Sequence, residues 1–241
     1  MKAIVLAAGR GSRLKHLTDT QPKCLVAIQG KPLLHWQTQS LLAAGIENIA
    51  VVRGYRKEQI DFPGFIYFDN ERWAETNMVR SMLCADSWLA SNECIISYSD
   101  LIYPPEVVET LKRLNGDIGI TYDPNWLNLW NERFADPLMD AETFDINDNG
   151  ELMEIGRRVF HVSKIKGQYM GLLKFTPEGW SEIKNYLCRL ESYVIDHLDM
   201  TSLLSCLIEA GITVQTVSIK NDWWYEIDTI HDFELANANM K

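Results

Sequence analysis

The sequence predicts an α/β fold, a mostly parallel twisted sheet with helices on both faces. Three observations point there. Short runs of β-branched residues alternate with stretches of helical periodicity. The first run, Lys2–Ala7, breaks at once into a glycine-containing turn, "AAGRGSRL". Acids follow later strands, as in "YSD" at Asp100 and "YEID" at Asp228. Those are the strand ends at which open α/β sheets gather ligands.

The elements follow in order. After the Lys2–Ala7 strand, residues Pro32 to Ala44 read as a helix, opened by proline and stopped by Gly45. Ile49–Arg53 and Phe65–Phe68 read as strands. Asn77 is placed to cap a helix burying Met78, Met82, Leu83 and Leu89. Cys94–Tyr98 is a strand, Pro104-Pro105 opens the next helix, and Asp117–Tyr122 is the strand after it. The rhythm then changes. Pro124–Phe144 is tryptophan-rich and reads as irregular, and "DINDNGELMEI" reads as a hairpin turning at Asn149-Gly150. "GQYMGLLKF" is a strand, Glu178–Leu190 and Thr201–Ala210 are helices, and Val214–Ile219 is a strand. A last helix is capped by Thr229 and Asp232. With 241 residues and no repeat or linker, one domain is expected. Residues 1–122 form its regular half and 123–241 an elaborated half acting as a lid.

Composition narrows the function. Hydrophobic content of 46% and charged content of 23% suit a globular protein, with no apolar run of membrane-spanning length. Five scattered cysteines without CxxC spacing argue for reduced thiols and a cytoplasmic setting. A net charge of −10 argues against nucleic acid as a partner. Against that acidic background, Lys2, Arg10, Arg13, Lys15, Lys23 and Lys31 face a single acid, Asp19, in the first 31 residues. A basic cluster beside glycines reads as a site for a small polyanion.

Familiar phosphate loops do not account for it. There is no GxxxxGK[ST], and the third glycine of GxGxxG is replaced by Leu14. "DINDNG" starts like a calcium loop, but position twelve is Gly156 and not glutamate, which leaves the hairpin reading. The histidines lack metal spacing, and no serine or cysteine lies in a nucleophile-elbow context.

What remains is "LAAGRGSRL", then "PKCL", then Asp100 and Asp228. These motifs resemble the nucleotidyltransferases that join a nucleoside triphosphate to a small phosphate, with a nucleotide-diphospho-sugar transferase-like, Rossmann-like fold. "TNMVRS", "WLNLWNERFADPLMDAE", "EIGRR", "GQYMGLLKF" and "EID" resemble the phosphocholine cytidylyltransferase-like branch. That branch includes enzymes for aminoethylphosphonate and phosphorylated glutamine. Sugar-1-phosphate enzymes carry QxxPxGTA and EKP segments where this chain has "ETNMVRS" and "EIGRR". They are the runner-up, and a non-catalytic nucleotide-binding module is the alternative of another class.

The resemblance implies CTP, Mg2+ and a small phosphorylated or phosphonylated acceptor bearing an amine. Such chemistry serves cell-surface polymer biosynthesis. Residues 1–122 become the nucleotide-binding half and 123–241 the acceptor-binding half. It assigns catalysis to Arg13 and Lys23, and nucleotide binding to Leu6, Ala8, Gly9, Gly11, Ser12, Asn77 and Met78. Asp100, Glu226 and Asp228 are expected at the metal, although Asp100 alone also reads as a helix cap and Asn77 as only an N-cap. Trp126, Trp130, Arg133, Arg157, Tyr169 and Trp224 are expected on the acceptor. The tryptophans read equally as core. Arg158 is an alternative to Arg157, and a homodimer is left open.

Overall fold

In the computed structural model of the chain, residues 1–220 and 223–240 are described. Seven strands form one sheet: β1 (Lys2–Ala7), β2 (Ile49–Arg53), β3 (Ile66–Asp69), β4 (Cys94–Tyr98), β5 (Ile118–Asp123), β6 (Gln168–Phe175) and β7 (Gln215–Ser218), in the order β7-β5-β6-β4-β1-β2-β3. Pairing is parallel except on both sides of β6, which runs against β4 and β5. Strands of both chain halves therefore share one sheet. Past Lys2 the central β1 is apolar, Ala3 to Ala7 all buried, as a strand covered on both faces must be.

The helices are α1 (Leu33–Ala43), α2 (Met78–Leu83), α3 (Asp86–Leu89), α4 (Pro105–Lys112), α5 (Trp126–Arg133), α6 (Pro177–Leu187), α7 (Ser192–His197), α8 (Met200–Glu209) and α9 (Ile230–Asn239). Helix α1 stops where expected, with Gly45 at φ +78°. The Asn77 helix is shorter than its periodicity suggests. It ends at Leu83, and α3 carries the buried Leu89.

One expectation fails. The stretch after Pro124 contains α5, whose buried Trp126, Trp130 and Arg133 fall at i, i+4 and i+7. That spacing is a helical stripe, hidden by poor helix formers. The expected hairpin is present as Glu142–Ile146 paired with Leu152–Arg158, with Gly150 at φ +76° in its turn. A two-residue ribbon pairs Leu101–Ile102 with Tyr225–Glu226. No helix of the described residues is long and apolar enough to cross a membrane.

Candidate active site

Two clefts open at the carboxyl ends of β1 and β4. The first, a cavity of about 190 Å³, is walled by Leu6, Ala8, Gly9 and Gly11 on one side and by Trp73, Thr76, Asn77 and Met78 on the other. Asn77 both lines it and caps α2, its Oδ1 accepting the Met78 N–H at 2.8 Å. Ser12 is exposed at the head of the turn Ser12–Thr18 and is not among the lining residues. Trp73, Thr76 and Ser81 line the cleft without having been singled out. Trp73 packs edge-on against Tyr55 at 5.1 Å, a contact between loops that no local pattern announces.

The floor is charged. Lys23, with 9% of its side chain exposed, donates from Nζ to Asp100 Oδ2 at 2.7 Å and to Asp228 Oδ1. Arg13 reaches Asp228 Oδ2 from the solvent side at 2.5 Å. Burial alone would lower the Lys23 pKa, but the two carboxylates outweigh it and hold it above its usual value. Gly11 makes the lysine's position feasible. It sits at φ +70°, and a Cβ there would lie 2.7 Å from Lys23 Cδ.

Asp100 and Asp228 lie 128 positions apart, yet the short ribbon brings them together. Glu226 pairs with Leu101, and the Ile227 N–H donates to the Asp100 carbonyl at 2.9 Å. Asp100, Glu226 and Asp228 each present an oxygen within 4.8 Å of the others. Asp100 Oδ1 is buried and has no hydrogen-bond partner among the described residues. An orphaned carboxylate oxygen in an all-oxygen donor set fits a hard dication. Burial and the neighbouring Asp228 push the Glu226 carboxyl up to about 8, against the pull of Arg133.

The second cleft, about 210 Å³, shares Arg13, Tyr98 and Asp228 with the first. Trp130, Trp224 and Tyr169 line it, facing Asp140 and Glu142. Trp224 Nε1 donates to Asp123 Oδ2 at 3.0 Å, which fixes the indole. Gln168 pins Glu142 by two bonds, donating to its carbonyl at 2.7 Å and accepting its N–H at 3.2 Å. Burial raises the pKa of both Asp140 and Glu142.

Three acceptor assignments do not meet this cleft. Trp126 is 3% exposed, packs edge-on against Trp130 at 5.8 Å, and belongs to the core. Arg133, its side chain 2% exposed, is clamped between Glu226 Oε2 at 2.9 Å and Asp232 Oδ1 at 2.8 Å. It is a buried structural cation and not a free phosphate ligand. Arg157 pairs with Glu209 at 2.7 Å on a separate groove. Strand alternation would carry Arg157 to the same face as Ile155, which does line the cleft. An irregularity around Gly156, at φ +84°, breaks that alternation. Arg158 is exposed over the Phe160 ring.

Comparisons with known proteins agree with this geometry. The family model described as MobA-like NTP transferase domain matches residues 3–139. The chain is 36% identical to the CTP:phosphoglutamine cytidylyltransferase of Campylobacter jejuni, over 98% of each chain. It is 29% identical to the 2-aminoethylphosphonate cytidylyltransferase of Lancefieldella rimae, over 64% of this chain and 60% of that one. Among solved structures, the inositol-1-phosphate CTP transferase of T. maritima matches with a TM-score of 0.78 at 22% identity, covering 98% of this chain and 94% of the other. The CTP:phosphocholine cytidylyltransferase of Streptococcus pneumoniae matches with a TM-score of 0.73 at 21% identity, covering 100% and 99%. At those identities the structural likeness speaks for the fold.

Proposed function

The chain belongs to the MobA-like NTP transferase family, and from that premise we propose that it is a CTP-dependent cytidylyltransferase. It transfers CMP to a small phosphate or phosphonate acceptor bearing an amine and releases pyrophosphate. The observation that carries the reading is the wall shared by the two clefts. Arg13, Tyr98 and Asp228 border both, so molecules held on either side meet at one point. Relatives that carry out this transfer on phosphorylated glutamine and on aminoethylphosphonate support the same reading.

The triphosphate lies over the glycine turn, where Gly9 and Gly11 let backbone N–H groups approach it. Lys23 and Arg13 neutralise its charge, and burial of Lys23 keeps that cation at a fixed point. An acceptor phosphate oxygen attacks the α-phosphorus in line, the bond to the β-phosphate oxygen breaks, and pyrophosphate leaves. With a second pKa of about 6, the acceptor phosphate is already largely ionised, so no general base is needed. Catalysis reduces to positioning and charge neutralisation. Asp100 and Asp228, with Glu226 beside them, would hold a Mg2+ ion, which would supply further positive charge to the phosphates.

The acceptor's amine lies among Trp130, Trp224 and Tyr169 with Asp140 and Glu142 opposite. Ring faces and carboxylates both attract a cation, and an ammonium there favours the charged form of the two acids. Five free cysteines support a reducing, cytoplasmic setting. The test is pyrophosphate release with CTP, UTP, dTTP and GTP against a panel containing phosphocholine, aminoethylphosphonate, phosphorylated glutamine and glucose-1-phosphate. CTP with an amine-bearing acceptor should dominate. Equal or better turnover of dTTP with glucose-1-phosphate would replace this reading with the sugar one.

A further inference from the structure

Asp196 lines neither cleft, yet three anchors of the nucleotide side converge on it. It lies on α7, in the half that carries the second cleft, with its side chain 8% exposed. Arg72 Nη2 donates to Asp196 Oδ2 at 2.7 Å, and Arg80 Nε donates to Oδ1 at 2.6 Å. The Asp196 carbonyl accepts the Asn77 N–H at 2.7 Å. Positions 72, 77 and 80 are thus tied to one residue more than a hundred positions away.

Between those anchors the chain presents Trp73, Thr76, Asn77 and Met78 to the nucleotide cleft. Its inner side is organised by Asn70, whose Nδ2 donates to Thr76 Oγ1 at 2.9 Å and Ser81 Oγ at 3.0 Å. Those bonds shape the segment but do not tie it to the rest of the molecule. Helix α2 is only six residues long, too short for its own hydrogen bonds to place it. The two arginine bonds to Asp196 are charge-assisted and use different carboxylate oxygens, so they fix orientation as well as distance.

We propose that Asp196 is a positioning residue for the nucleotide, holding the Arg72–Arg80 segment against the cleft from the opposite half of the molecule. The inference rests on the nucleotidyl-transfer reading. Its test is calorimetric titration with CTP, together with steady-state kinetics on the best acceptor of the panel, for wild type, Asp196→Asn and Arg72→Gln. Asp196→Asn should weaken CTP binding and raise its KM by about tenfold, with kcat and acceptor KM within twofold, the pattern of lost ground-state binding. Arg72 is half exposed, so Arg72→Gln should fold normally and shift CTP binding about threefold in the same direction. Arg113→Ala, which breaks an exposed pair with Glu109 on α4, should change nothing beyond twofold.

CTP affinities within twofold of wild type in both variants would overturn the inference, even with a lowered Tm. So would a fall in kcat at unchanged CTP KM. If Asp196→Asn does not fold, Arg72→Gln decides. A wild-type protein that binds no CTP at all would refute the activity reading itself and take this inference with it. That failure is visible before any variant is made.

Discussion

Gly11 and Lys23 make one device out of two motifs that lie twelve positions apart. The glycine's positive φ and missing Cβ leave room for the lysine stem, and the stem delivers Nζ between Asp100 and Asp228. Gly11→Ala should therefore displace the ammonium while leaving the sheet intact. The expected loss is about 100-fold in kcat/KM, the scale of a misplaced catalytic group, with Tm lowered only slightly. Kinetics beside thermal unfolding checks both halves of that statement. Asp100→Asn and Asp228→Asn should nearly abolish turnover, a loss on the order of several kcal/mol in transition-state stabilisation. Near-normal rates for Asp228→Asn at ordinary magnesium would disprove the metal assignment. Residue types made the glycine turn and its cations legible in the sequence, and the family resemblance pointed to Lys23 and the three acids. Trp73 was not legible, because nothing local marks a loop residue that lines the cleft while packed against Tyr55.

The element that most changed on folding is α5. Its polar face obscured a stripe of Trp126, Trp130 and Arg133, which anchors the helix beneath the second cleft. Arg133 joins that helix to the capping box of α9, where Asp232 accepts from the Thr229 N–H at 2.8 Å and bonds Arg133. Arg133→Met should leave Asp232 as a buried acid without its cation and take one partner from the partly exposed Glu226. The expected cost is about 3–5 kcal/mol of stability, measured by denaturant unfolding. A selective rise in acceptor KM without loss of stability would restore the phosphate role. Burial alone would raise the Asp232 pKa, but the Arg133 and Thr229 bonds outweigh it and hold it below its usual 3.8. Its contribution to stability is then complete above that value and is lost as pH falls through the lower folded value. Asp232→Asn should flatten this acid limb of the stability curve, read as Tm against pH between roughly 5 and 2.

At the scale of the whole molecule, the two halves of the chain share one sheet and meet at the wall between the clefts. That arrangement predicts an acceptor whose phosphate points to Arg13 and Asp228 and whose amine points away, toward Asp140 and Glu142. A competition between isosteric acceptors that differ only in the amine tests it. The ammonium compound should win by roughly 5–30-fold in kcat/KM, as one or two ring faces and a carboxylate would give. Equal kcat/KM for the neutral analogue would remove the cation from the site. The antiparallel β6 serves the same geometry, since its reversed direction brings Gln168 and Tyr169 to the edge where β1 and β4 end.

The sequence by itself determined the alternating α/β plan and the glycine turn with its paired cations, while the family resemblance pointed to the three acids. The first two rest on local chemistry: periodicity and turn residues. Tertiary structure alone decided which arginine borders the clefts. Arg133 is consumed by Glu226 and Asp232, Arg157 is turned away at Gly156, and Arg13 is left facing both clefts. The reason is physical. A charged side chain's role depends on its partners, and those partners arrive from 52 positions away for Arg157 and 99 for Arg133.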